Sequence, residues 1–596
     1  MPYAVRALGG IRHPACGAST NAATPATFEV GAVLTLRFAG YTQDMTARWY
    51  RTGVIYSLDV RLFQDSDGDG IGDFCGLTSR LDHLSRLGVS VLWLNPIHPT
   101  PYRDGGYDVA DYYGVDAALG NLGDFAEFMA ECDERGIRVM LDLVLNHTSD
   151  EHPWFQAARS DQRSPYRDWY VWSEEEPPDR AEGMVFPGVQ EATWTYDDVA
   201  GAWYHHRFYP FQPDLNVLNP HVRSEMKKVV TFWSRLGVSG FRLDGAPFLI
   251  EKTAPGGGEL PRDYGFLVEL RERLSWLRGD AVFLAEAHVP SSELVEFFGD
   301  ADGAANRVQM LFAFRINEAL MLALARQDAG AVEAALTELP PPPRHGAWAT
   351  FLRNHDEVDL SQLAEQERDD VLAAFGPEPE HQLYERGIRR RLASMLEGNV
   401  ARMRMAYSLQ FTMPGTPVLR YGDEIGMGED LSLPERDAIR TPMQWSGTLN
   451  GGFSEAPADE LIRPVVSTSP YGYKDVNVTD QRLEPDSMLS WFERMLHTLR
   501  ECEEIGAGNH RVVEGTPAPV LAHVAEGATG VVLFVHNLSD QLQRVRLQDV
   551  PREEQPPVEV FSDHTYDGEL DPGELDLDPY GFRWIRLRRS HGPAPG

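Results

Sequence analysis

The chain has 596 residues, 42% of them hydrophobic, with 54 Lys plus Arg against 90 Asp plus Glu and a formal charge of −36. That length can bury a large core in two or more domains. The charge repels nucleic acid and anionic lipid, so neither is an expected partner, and no run nears the roughly 18 apolar residues of a membrane span.

Residues 1–44 are rich in Ala, Gly, Pro and Thr, without helical or strand period. They lack the apolar core of a signal peptide and are expected to be disordered. Regular structure begins at Met45. VIYSLDVRLF, residues 54–63, reads as a strand from its β-branched and aromatic content. The acidic loop DSDGDGIGD follows. Asp65, Asp67, Asp69, Gly70 and Asp73 fit positions 1, 3, 5, 6 and 9 of an EF-hand loop, but position 12 is Gly76 and the flank is a strand. It is therefore expected to be a structural cation loop on a strand end. Leu77, Leu81, Leu84 and Leu87 recur at helical spacing.

Further short apolar runs continue the alternation: VSVLWLNPI, RVMLDLVL, GFRLDGAPF, VFLAEA, VQMLFAF, WATFLRN and TPVLRYGDE. Asn219-Pro220 supplies a cap and a first-turn proline for a helix whose apolar face is Val222, Met226, Val229, Val230 and Trp233. Eight strand–helix units predict an α/β fold, a (β/α)8 TIM barrel, with its site at the carboxyl ends of the strands. The barrel is assigned to residues 45–147 and 216–504. About 90 residues separate the third and fourth strands, too many for a plain crossover, so 148–215 are read as an inserted subdomain. A lid-like insertion is placed near 360–397. From 505 to 590, runs such as VVLFVHN and GFRWIRL between Gly/Pro/Asp turns predict an antiparallel β-sandwich, with a tail at 591–596. The four cysteines, Cys16, Cys75, Cys132 and Cys502, are scattered without disulfide or zinc spacing, which predicts a reducing, cytoplasmic location.

Polar residues gather where such a barrel works. The third strand ends in Asp142, Asn146 and His147, the fourth carries Arg242 and Asp244, the fifth Glu286, and the seventh ends in Arg353, Asn354, His355, Asp356 and Glu357. One aspartate at a strand end is usually a cap. Carboxylates at three strand ends, with Arg and His beside them, are costly to bury and point to function.

DLVLNH, GFRLDGAPF, LAEAH and FLRNHD resemble the four signature segments of the α-amylase superfamily, glycoside hydrolase family 13. QPDLN resembles its fifth segment in the oligo-1,6-glucosidase-like branch. FYPFQPDLN, GIRRRLASML, YGDEIGMGEDLSLPERDAIRTPMQW and YGYKDVNV are most similar to the trehalose synthases of that superfamily. The resemblance implies a retaining enzyme in which Asp244 is the nucleophile, Glu286 the general acid/base and Asp356 the transition-state stabiliser. It implies a glucose site lined by Tyr107, Asp108, His147, Arg242 and His355 and closed by Arg436. It implies structural calcium held by Asp65, Asp67, Asp69, Asp73 and the Ile71 carbonyl, with magnesium an alternative in that loop. A second calcium would be held by Asn146, Asp214, Glu251 and the Phe248 and Leu249 carbonyls. No organic cofactor is implied. The expected substrate is a small α-glucoside such as maltose or trehalose, and a homo-oligomer is compatible with the family.

Two positions depart from the trehalose synthases. Ala-His-Val follows Glu286 where Ala-Asn-Gln is usual, and Gly245 follows Asp244 where Ala is usual. His288 either binds a sugar hydroxyl or packs. Gly245 removes a methyl group beside the nucleophile and is expected to admit water or a larger acceptor. Maltose–trehalose isomerisation with some hydrolysis is therefore weighed against an α-glucosidase or intermolecular glucosyltransferase. A non-catalytic binding protein is disfavoured by the intact carboxylates.

Overall fold

The structure is a computed structural model that describes residues 46–178, 180–251, 262–299, 306–528, 530–548, 550, 556–567 and 570–587. The expected disorder of 1–44 and the tail at 591–596 lie outside the described residues. From Ala47 onward the chain is one compact unit.

Eight parallel strands close into a barrel: β1 (Ile55–Leu58), β2 (Val91–Leu94), β3 (Arg138–Leu143), β4 (Gly240–Leu243), β5 (Val282–Ala285), β6 (Met310–Phe312), β7 (Ala347–Thr350) and β8 (Thr416–Arg420). Each pairs with its sequence neighbours, and β1 closes on β8 with Ile55 opposite Val418. Helices cover the outside, so the strands are buried on both faces and read as continuous apolar runs. Ile55, Val91, Trp93, Met140, Leu284, Phe312, Ala349 and Val418 fill the barrel as one cluster. The β3–β4 register sets Asp142 beside Arg242.

Two local expectations change. The first strand stops at Leu58, because Asp59 caps a 3-10 turn, Val60–Leu62, by accepting from the Arg61 amide. The leucine-repeat helix is two helices, Phe74–Ser79 and Leu81–Leu87. Arg80 sits at the break, where its guanidinium donates to Gln64 Oε1 and lies 4.3 Å from the Trp445 ring. The predicted helix at 220 forms over Pro220–Arg235, and Asn219 caps it by accepting from the His221 amide.

Between β3 and β4 the chain builds the helix Pro153–Ser160 and a three-stranded antiparallel sheet, Trp172–Ser173, Ala202–His205 and Trp194–Asp197. Between β7 and β8 it builds the helix Glu365–Phe375 and a second small sheet, Val358–Asp359, Gly387–Ile388 and Gln382–Leu383. Beyond the barrel, five antiparallel strands (Asn509–Val512, Val520–Glu526, Val531–Asn537, Phe582–Leu587 and Val558–Ser562) face a pair, Gln543–Arg546 and Glu574–Leu577. Val520, Leu533, Val545, Leu575 and Ile585 form the core between them. Ser408, on a barrel helix, accepts from Trp584 Nε1 at 2.9 Å and lies 2.9 Å from His536 Nε2, which ties the sandwich to the barrel. No helix among the described residues is long and apolar enough to cross a membrane.

His98 exposes an energetic consequence of this core. It is buried against the edges of Tyr112 and Trp233, with neither ring nitrogen hydrogen-bonded. Burial, helped by the charge of Arg61, lowers its pKa from 6.5 to about 3. The unfolded chain therefore takes up this proton first. The contribution to stability is complete above about pH 6.5 and is lost as pH falls toward 3. The drop in Tm between pH 7 and pH 5 should be smaller in His98→Phe than in the parent, whereas equal drops would mean that His98 does not contribute to the acid sensitivity.

Candidate active site

The site is organised by one guanidinium. Arg242 lies on β4, 1% exposed, with its charge in the barrel mouth. Its Nη1 donates to Asp142 Oδ1 at 2.7 Å and to Asp244 Oδ1 at 2.6 Å, and its Nη2 lies 2.8 Å from Glu286 Oε2. Three carboxylates from β3, β4 and β5 thus share one cation. Burial is the largest influence on each and raises its pKa, while Arg242 opposes the rise. Asp244 reaches about 6, with Asp142 and Asp356 adding to the rise. Glu286 is raised by the charges of Asp244 and Asp356 as well, and accepts from the Gly245 amide at 3.0 Å. Burial and mutual repulsion thus keep a proton on the Asp244–Glu286 pair to higher pH than on exposed carboxyls, as two-carboxylate glycoside chemistry requires.

The opposite pole is cationic. Asp356 Oδ1 accepts from Arg436 at 2.7 Å and Arg440 at 3.0 Å, while its Oδ2 lies 3.1 Å from His355 Nε2. Burial works against its charge, but His355, Arg436 and Arg440 hold its pKa below the ordinary carboxylate range. Tyr107 stacks on His355 at 5.4 Å, and its hydroxyl reaches Asp142 at 3.0 Å and His355 at 2.7 Å. His147 packs beside it, with Nε2 3.2 Å from the Tyr107 carbonyl.

These groups enclose a cavity of about 630 Å³ whose walls include Asp104, Tyr107, His147, Asp244, Glu286, His355, Asp356 and Arg436. Two insertions and the segment after β8 that carries Glu435 and Arg436 meet beside it. Phe186 and Tyr209 come from the β3–β4 insertion, and Tyr384 comes from the β7–β8 insertion. Tyr209 and Tyr384 both donate to Glu435, at 2.5 and 2.8 Å, and Arg436 lies 4.6 Å from the Phe186 ring.

Two expected lining residues are placed elsewhere. Arg242 lies beneath the carboxylates, not in the wall. Asp108 is wholly buried and accepts from Thr100 Oγ1 and the Arg103 amide, so it braces the loop. The reason is the turn at Gly105 and Gly106, whose φ values of +57° and +97° send Asp104 and Tyr107 to the cavity and Asp108 behind it. Asp104, overlooked in the sequence although it stands in the same DGGYD run, is the carboxylate in the wall, held by Gln212 Nε2 at 2.9 Å.

The expected opening at Gly245 is also absent. A methyl group there would lie 3.0 Å from Phe248 Cδ2 and 3.3 Å from Phe208 Cζ. Aromatic rings fill the space, and the left-handed backbone, φ +50°, favours glycine.

In the acidic loop, oxygens of Asp65, Asp67 and Asp73 converge within 4.8 Å of one another. Burial raises the Asp73 pKa, and the charge of Asp67 adds to the rise. This donor set fits a hard cation. Asp69 stands outside it, exposed, with its Oδ1 accepting from the Ile71 amide. Of the second expected set, Asn146, Asp214, Phe248 and Glu251 line one pocket of about 20 Å³, and Leu249 does not. Asn146 Nδ2 donates to Asp214 Oδ1, Asp214 Oδ2 faces His205 Nδ1 at 2.9 Å, and Arg262 donates to Glu251 at 2.7 Å. Four of the five expected ligands thus border one small polar pocket, crossed by these hydrogen bonds.

A closed (β/α)8 barrel whose strand ends bring paired carboxylates into a sugar-sized cavity defines a carbohydrate-active barrel enzyme. Residues 57–374 and 387–508 match the alpha amylase catalytic domain, and the chain belongs to this α-amylase family, glycoside hydrolase family 13. Residues 517–585 match the C-terminal immunoglobulin-like domain of D-apionate lactonase. The chain is 39% identical to a trehalose synthase of a Pimelobacter species over 90% of its own length and 96% of the relative's. It is 39% identical to a trehalose synthase/amylase of Mycolicibacterium smegmatis over 93% and 95%. Among solved structures, the trehalulose synthase of Pseudomonas mesoacidophila superposes with a TM-score of 0.72 at 26% identity, covering 90% of this chain and 99% of that one.

The raised Asp244 predicts a pH limb. A carboxylate raised to about 6 loses its charge at higher pH than an ordinary one. kcat/KM on an activated α-glucoside should therefore fall as pH drops through about 6, as a proton enters the Asp244–Glu286 pair. Arg242→Met removes the opposing charge. It should move that limb to higher pH and lower kcat/KM by about 100-fold or more. A limb near pH 4 in the parent, unmoved in the variant, would contradict the assignment.

Proposed function

We propose that this enzyme isomerises maltose to trehalose by intramolecular transglucosylation, with some hydrolysis. The observation that carries the reading is the pairing of Asp244 and Glu286 on Arg242 inside one cavity. Asp244 attacks the anomeric carbon of the non-reducing glucose while Glu286 protonates the departing oxygen, which leaves a covalent β-glucosyl ester and free glucose. The retained glucose turns and presents its anomeric hydroxyl. Glu286 takes that proton, the new oxygen attacks, and the bond to Asp244 breaks with release of trehalose. Asp356 and Asp104 hold hydroxyls of the reacting ring, with Tyr107 as its aromatic wall. A cavity of about 630 Å³ suits a disaccharide. The roof of Phe186, Tyr209, Tyr384 and Arg436 keeps the released glucose at high effective concentration and limits water. Relatives named trehalose synthase, at 38–41% identity over most of the chain, favour this product. A cytoplasmic enzyme agrees with the buried thiols of Cys132 and Cys502.

The second reading is an α-glucosidase, favoured by relatives named glucan 1,6-alpha-glucosidase at 28–29% identity. Incubation with maltose separates the two. Trehalose should be a main product and glucose a lesser one, with little label entering trehalose from added labelled glucose. Asp244→Asn should lose turnover by several orders of magnitude while keeping its circular dichroism spectrum. Glucose as the sole product would make the enzyme an α-glucosidase, and near-normal turnover of the variant would remove Asp244 from its role.

We also propose that calcium, or magnesium in its place, binds the loop through Asp65, Asp67 and Asp73. The ion is structural, because an ion bound only by the native state stabilises it. A chelator should lower Tm and added calcium restore it, with kcat at ambient temperature little changed. An unchanged Tm in chelator, with no metal in the purified protein, would defeat this.

A further inference from the structure

His288 stands two residues beyond Glu286 and lines the same cavity. It lies between two carboxylates. Nε2 is 3.7 Å from Glu318 Oε1, and Nδ1 is 3.5 Å from Asp359 Oδ2. Phe314 stacks on the ring at 4.7 Å. Glu318 is fully buried. Burial opposes the imidazolium, but the nearby Asp359 and Glu318 carboxylates raise the pKa to about 9, so the ring is charged at neutral pH. The two ring nitrogens face different carboxylates, and Arg386 Nε occupies Asp359 Oδ2 at 3.0 Å. The imidazolium and Arg386 thus place two cations against the two carboxylates.

The members of this cluster also fasten the two insertions to the barrel and to each other. Glu318 Oε1 accepts from the Gln362 amide at 3.0 Å, at the root of the β7–β8 insertion, and Gln362 Nε2 donates to the Val289 carbonyl at 3.3 Å. Asp359 belongs to the small sheet of that insertion. Arg386, on the same insertion, donates through Nη2 to the Val185 carbonyl of the β3–β4 insertion at 2.8 Å. His288, Asp359 and Arg386 all line the cavity.

We propose that His288 is a positioning residue: clamped between Glu318 and Asp359, it fixes the wall against which the released sugar is retained and the root of the roof above it, and so sets the partition of the glucosyl group between that sugar and water. Removing the imidazolium leaves a fully buried Glu318 without its cation and frees Asp359 and Arg386 from their shared geometry. Chemistry at Asp244 needs none of these groups, so bond cleavage persists while retention fails.

The inference rests on the proposed isomerase reading, and the test separates the two. The parent's products from maltose test the reading. The variants His288→Leu, His288→Lys and Glu318→Gln test the clamp, with Tm measured for each. In His288→Leu the trehalose-to-glucose ratio from maltose should fall about 5-fold or more, while kcat on an activated aryl α-glucoside, whose leaving group needs no retention, stays within about 2-fold. His288→Lys, which keeps the charge, should recover much of the ratio. Glu318→Gln should lower the ratio in the parent but change it little in His288→Leu, as members of one network are not additive. An unchanged ratio in a folded His288→Leu, or parallel loss of ratio and aryl glucoside turnover, overturns the inference. If the parent makes no trehalose, the isomerase reading fails. The clamp is then read as transfer to added glucose, where His288→Leu should raise the KM for the glucose acceptor, and an unchanged KM overturns it.

Discussion

One buried guanidinium facing three carboxylates sets the electrostatics of this enzyme. Arg242 neutralises one charge among Asp142, Asp244 and Glu286, and burial makes each further charge expensive. The group as a whole is therefore driven to hold a proton at a pH where exposed carboxyls have lost theirs. That proton is what a leaving glycosidic oxygen requires. The β3–β4 register that sets Asp142 beside Arg242 is thus part of the acid–base chemistry, although Asp142 itself faces the barrel and Trp93.

The far wall has the inverse composition. Two guanidiniums converge on one carboxylate, Asp356, and hold it ionised despite its burial. A proton-rich pole and an ionised pole face each other across the cavity. A positive sugar ring forming between Asp244 and Asp356 is stabilised from both sides without any carboxylate moving. Arg436 links this pole to the roof, because it also lies against Phe186 and Tyr384.

The barrel alone leaves its mouth open to water. Residues from two insertions cover it, held by hydrogen bonds among Tyr209, Tyr384 and Glu435 and by the chain from Glu318 through His288, Asp359 and Arg386 to Val185. Hydrolysis and transfer differ only in which hydroxyl reaches the glucosyl ester, so these contacts bear on the product more than on bond cleavage.

The sequence by itself determined the eight-strand order, the insertion after β3, the terminal sandwich and the strand-end positions of Asp244, Glu286 and Asp356, because apolar runs, breaker residues and signature segments are local. Partners in space are not local, and there the tertiary structure decided. Asp104 and Asp108 are equivalent in the string DGGYD, and only the positive-φ turn between them says which faces the sugar. Gly245 read as an opening until Phe208 and Phe248 filled it from segments 37 and 3 residues away in the chain. Asp69 alternates with its neighbours in the acidic loop, yet its carboxylate falls outside the set that converges within 4.8 Å. The surroundings of His288 are not local either, because its charge depends on Glu318 and Asp359, which lie on other elements. A side chain's charge follows from the fields of groups that folding brings near it, and no local pattern encodes those distances.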